Sequence, residues 1–96
     1  MFEKQVYDVD YFIRKFEAIP EELWCIGQYT DGEGRYCALG WCRRSGDENG
    51  YAEEVALERI SPFFVPDVND GHDERYQQPT PKQRVLAALR DIKETK

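Results

Sequence analysis

The sequence predicts a mainly α fold. It reads as one domain over residues 1–96, with about four helices and a short irregular or hairpin-like segment at 25–36. Three observations predict this. Apolar residues recur at helical spacing over 9–19 and again over 51–60. Thr80-Pro81-Lys82-Gln83 is a capping box with proline at the first helical position, and it opens a long amphipathic run. No internal repeat, linker or low-complexity tract divides the 96 residues.

In chain order, Asp8 or Asp10 caps a helix whose inward face is Val9, Phe12, Ile13, Phe16 and Ile19, and Pro20 ends it. Pro20 also suits the first turn of a short helix through Glu21, Glu22, Leu23 and Trp24. Cys25 to Thr30 fits an extended piece, and Asp31-Gly-Glu-Gly34 is a turn signal. A helix is expected from about Tyr36. Gly40 weakens it by roughly 1 kcal/mol and lets another element come close. The helix over 51–60 is expected to turn Ala52, Val55, Ala56 and Ile60 inward, and Ser61-Pro62 stops it. Phe63-Phe-Val65 is too short to assign. Pro66 to Gln78 reads as the longest irregular stretch. The last helix lines Val85, Leu86, Ala88, Leu89 and Ile92 on one face. The expected core is Phe12, Phe16, Trp24, Cys37, Leu39, Trp41, Val55, Leu86 and Leu89. The Asn69–Gly71 turn is expected beside residues 37–42, because both segments need backbone hydrogen bonds.

Composition limits the function classes. Aromatics are 14% of the chain, which partly offsets its small size. The net charge is -6. Residues 82–96 hold five basic residues against two acidic ones, a local +3, so residues 1–81 carry -9. An acidic body repels phosphate, which disfavours direct nucleic-acid binding and attracts a partner with a basic surface. Met1-Phe-Glu-Lys-Gln-Val-Tyr-Asp lacks the apolar region of a signal peptide, and no apolar run approaches ~20 residues, so neither export nor a membrane span is expected. Three cysteines leave at least one unpaired, which fits free thiols in a reducing cytoplasm.

The block Trp24–Cys42 holds all three cysteines, both tryptophans and four of the seven glycines. It is either the centre of the fold or a thiol site, and the residues favour the former, because cysteine packs readily as a buried hydrophobe. One alternative is a structural zinc site from Cys25, Cys37, Cys42 and His72, although their gaps lack the paired spacing of a zinc knuckle. A second is a cysteine-dependent hydrolase. Here Cys37 would lie in a helix's first turn, where the dipole lowers a thiol pKa, His72 would be the base, and Asn69, Asp70 or Asp73 would orient it. The oxygen donors Asp67, Asn69, Asp70, Asp73 and Glu74 miss the calcium-loop register. The glycine turns lack nucleotide-binding forms. Glu21/Glu22 and Glu53/Glu54 are sequence neighbours that point about 100° apart on a helix and read as surface. No cofactor is implied.

The remaining reading is a binding surface. Tyr7, Tyr11, Tyr29, Tyr51 and Tyr76 are too many to bury in 96 residues, and tyrosines among acids make competent interfaces.

Trp24-Cys-x-Gly-x-Tyr-x-Asp-x-x-Gly-x-x-Cys-Ala-Leu-Gly-x-Cys42, followed by Asn69-Asp-Gly and Tyr76-Gln-Gln-Pro-Thr-Pro-Lys-Gln-Arg-x-Leu-Ala-Ala-Leu89, resembles small uncharacterised proteins of bacteria and their phages. The resemblance covers roughly residues 9–92. It implies a compact α-rich fold in which these motifs pack together, and it carries no assigned activity. The phage setting implies a protein that modulates a host process by binding. The expectation is therefore a non-enzymatic cytoplasmic accessory protein that engages a basic partner.

Overall fold

The computed structural model describes residues 7–44 and 48–94, with the side chains of residues 48–50 excepted. Five α-helices and one 3-10 turn follow in chain order: α1 Val9–Glu17, a turn at Glu21–Leu23, α2 Ala38–Arg43, α3 Glu48–Ile60, α4 Val65–Asp70 and α5 Pro81–Glu94. The fold is mainly helical, as the periodicity predicts, and no strand forms among the described residues. Segment 25–36 pairs only through isolated bridges, Trp24 with Tyr36 and Thr30 with Tyr36.

α5 is the central support. α1 and α4 pack on it, α2 packs on α3 and α4, and α1 touches α3. Thr80 Oγ1 accepts from Gln83 N at 3.1 Å, which satisfies one orphan amide of the first turn. Val85, Leu86, Ala88, Leu89 and Ile92 are all buried. At α1 the cap is Asp8, which accepts from Tyr11 N at 2.9 Å. Phe12 and Phe16 enter the core, and Phe16 meets Trp24 edge-on at 5.3 Å. Cys37, Leu39, Leu86 and Leu89 also lie in the core, while Trp41 and Val55 stay partly exposed.

α3 departs from expectation. Its buried residues are Glu53, Glu54 and Leu57, while Ala52 is exposed and Val55, Ala56 and Ile60 are only half-buried. Partners from elsewhere explain the inversion. Lys15 pairs with Glu53 at 3.1 Å, and Arg43 pairs with Glu54 at 2.5 Å. A buried carboxylate tolerates the interior only when so paired. The two glutamates are therefore structural rather than surface residues.

The segment after Pro62 also differs. Val65–Asp70 is a helix, not part of an irregular stretch. It carries Pro66 in its first turn and ends on Gly71 at φ 84, the proline-in, glycine-out punctuation of a short helix. Arg84 secures that end. Its guanidinium donates to the carbonyls of Val68 at 3.2 Å, Asn69 at 2.8 Å and Gln78 at 2.8 Å.

Candidate functional site

The cysteine block divides into two halves with different environments. In residues 37–42, Cys37 caps α2 rather than lying in its first turn, and its sulfur accepts from Gly40 N at 3.4 Å. Cys42 is fully buried. Burial pushes both thiols up from their ordinary range, and for Cys42 the nearby Glu53 carboxylate adds to the effect. Cys25 is half-buried and is also raised, chiefly by desolvation. Its single S–H lies within reach of two carbonyls, Gln28 O at 3.5 Å and Arg35 O at 3.6 Å. A thiol that resists ionisation is a poor nucleophile at neutral pH.

The alternatives built on Cys37 find no assembled set of groups in this geometry. The thiol shift runs opposite to the one a helix N-terminus would give. His72 is exposed beyond the end of α4, and its imidazole makes no hydrogen bond to Cys37, Asn69 or Asp70. Asn69 is wholly committed elsewhere: its Oδ1 accepts from Ala38 N at 3.0 Å, and its Nδ2 donates to Cys25 O and to Asp70 Oδ1, each at 2.9 Å. It is 0% exposed and pins α4 to both halves of the cysteine block. This is the expected packing of the Asn69–Gly71 turn against residues 37–42. Cys25, Cys37, Cys42 and His72 do not come together, and no group of three potential metal ligands forms among the described residues.

The first half of the block faces solvent. Asp31 Oδ1 accepts from Glu33 N at 2.8 Å and from Arg35 N at 3.3 Å, and these bonds hold the carboxyl below its usual range. This braced turn presents Ile26, 53% exposed, and Tyr29, 43% exposed. The loop is fastened from below. Tyr29 O accepts from Cys37 N at 3.1 Å, and a Cβ on Gly40 would lie 2.1 Å from that same oxygen. Only a residue without a side chain lets the loop approach α2 so closely.

A cleft of about 180 Å³ opens where the loop meets α2 and α4, lined by Gly27, Gln28, Tyr29, Cys37, Leu39, Pro66 and Asp70. Three of the four exposed large hydrophobics among the described residues adjoin it in the chain: Tyr29 lines it, Ile26 precedes Gly27, and Phe64, 63% exposed, lies two residues before Pro66. The fourth, Tyr51, is 69% exposed on α3. There Tyr51, Ala52, Val55, Ala56, Arg59 and Ile60 line a second, apolar groove of about 480 Å³.

The five tyrosines expected at a surface have different fates. Tyr29 donates to Glu54 Oε2 at 3.4 Å and carries the Arg43 guanidinium 4.3 Å above its ring. Tyr7 and Tyr11 are half-buried and meet edge-on at 5.1 Å. Burial and the adjacent Glu53 carboxylate push Tyr11 up to about 12. Tyr76 is a correction: it is 7% exposed, and its hydroxyl donates to Asp91 Oδ2 at 2.9 Å, so it belongs to the interior. Sequence reasoning missed Ile26, Gly27, Gln28, Leu39, Phe64 and Pro66 as site residues. The one available signal was Phe63-Phe64, an apolar pair outside any periodic run.

No helix among the described residues is long and apolar enough to cross a membrane. Comparison with protein-family models, with curated proteins and with solved structures returns no match.

Proposed function

We propose that the protein acts by binding another protein through the cleft and its apolar margin, and that it performs no chemistry of its own. The observation that carries this reading is the cleft itself, which the exposed Tyr29 lines, with the exposed Ile26 and Phe64 within two residues of its lining in the chain. Large apolar side chains around a small pocket are the usual makings of an interface centre. The charge of -9 over residues 1–81 favours a partner with a basic surface. Three unpaired thiols support a reducing cytoplasm as the setting. The resemblance to small bacterial and phage proteins suggests that the partner belongs to a host process that binding modulates.

The test compares immobilised wild-type protein with Ile26→Ser and Phe64→Ser in bacterial lysate. A stoichiometric partner is expected on the wild type, weakened by added salt and lost from both variants. Equal retention on all three proteins contradicts the reading.

A further inference from the structure

We infer that the cleft receives a basic side chain from the partner, arginine or lysine, with its aliphatic stem against Leu39, Pro66 and Cys37 and its cationic head at the carboxylate of Asp70. This deepens the proposed function and rests on it.

The walls and the charge point the same way. Leu39 and Cys37 are 2% and 7% exposed, so the inner wall is fixed core rather than adjustable surface. Pro66 sits in the first turn of α4 and adds a rigid apolar side. Asp70 is the only charged residue that lines the cleft among the described residues. One of its oxygens, Oδ1, accepts from Asn69 Nδ2 at 2.9 Å, which orients the carboxylate. No donor among the described residues reaches the other oxygen, Oδ2.

The nearby cation is already committed. Arg84 donates to the carbonyls of Val68, Gln78 and Asn69 and makes no hydrogen bond to Asp70, on which it acts only through its charge. The cleft thus offers a recess with apolar sides and one oriented acceptor. An arginine or lysine side chain has the complementary build, an apolar stem under a charged head. A neutral apolar side chain would leave Asp70 Oδ2 facing it without a donor, and an acidic one would be repelled. Apolar residues flanking the basic one would then meet the exposed Tyr29 at the cleft wall. The excess of acid over residues 1–81 draws such a segment in.

The test uses N-acetyl-Leu-Arg-Leu-amide and its citrulline counterpart, which keeps the shape and removes the charge, titrated into ¹⁵N-labelled protein. The arginine peptide is expected to shift the amides of Gly27, Gln28, Leu39 and Asp70 to saturation. The citrulline peptide should bind about fivefold more weakly, the upper end for a part-exposed ion pair. Asp70→Asn should weaken the arginine peptide by a similar factor and erase the difference between the two peptides. Equal binding of both peptides to the wild type overturns the inference, as does saturating binding elsewhere or no shift at about 10 mM peptide, well above the ordinary range for weak contacts. The wild-type comparison decides the matter even if Asp70→Asn fails to fold. If Ile26→Ser and Phe64→Ser lose a partner that Asp70→Asn keeps, the binding role stands and the basic anchor falls.

Discussion

The two halves of the cysteine block share nineteen consecutive residues and have opposite tasks. Residues 37–42 place Cys37, Ala38, Leu39 and Cys42 in the core. Residues 25–36 bury no side chain fully and present Ile26 and Tyr29 to solvent. The difference shows how a small domain shapes a recess without a large scaffold. One half supplies the fixed wall and the other the exposed margin. Three contacts hold them in register: Cys37 N on Tyr29 O, Gly40 against that oxygen, and Asn69 bonded to both Cys25 and Ala38.

The largest expected effect comes from severing that register. Gly40→Ala puts a methyl group 2.1 Å from Tyr29 O, which nothing flexible can relieve. The loss should be about 3 kcal/mol in urea unfolding, and the Gly27 and Gln28 amides should shift with it. Asn69→Ala follows. It orphans the Ala38 amide and the Cys25 carbonyl, at about 2 kcal/mol. A wild-type midpoint after either change would mean that the halves are held together some other way.

Alkaline pH probes the core half. Burial raises the folded-state pKa of Cys42 above its unfolded value. Its contribution is therefore complete below about pH 9 and is lost as pH rises beyond that, because the unfolded chain ionises first. With the ordinary thiol value of 9.0 in the unfolded chain, the cost from this one thiol at pH 10 is about 1.4 kcal/mol, and Cys42→Ala should remove that part of the slope in urea titrations at pH 8 and pH 10. Cys37, Tyr11, Tyr29 and Tyr76 shift in the same direction and steepen the same limb. The smallest effect belongs to the exposed half. Ile26→Ser should change stability by less than about 0.5 kcal/mol, and a larger loss would place Ile26 in the core rather than on the exposed half.

α3 and α5 show how far the sequence could be read. They differ by one residue in length, and both carry apolar residues at helical spacing. In α5 the local pattern and the burial agree, because its apolar stripe meets α1 and α4. In α3 the inward face is chosen by Lys15 and Arg43, which lie on other helices and leave no trace in the local period. Long-range charge pairing overrode hydrophobic patterning there. The brevity of α4 hid it, although Pro66 and Gly71 marked both of its ends. At the site, Tyr29, Cys37 and Asp70 stood out as chemically notable residues. Leu39, Pro66 and the glycine-bearing wall did not, because a recess is a property of how segments meet.

The most direct test of this division is native-state thiol labelling with iodoacetamide at pH 7 and pH 9, resolved by site with mass spectrometry. Cys25 should be modified first and faster at pH 9, while Cys37 and Cys42 should react only as fast as the whole chain unfolds. Rapid modification of Cys37 at pH 7 in folded protein would contradict that division and would put a reactive thiol where the structure places a wall.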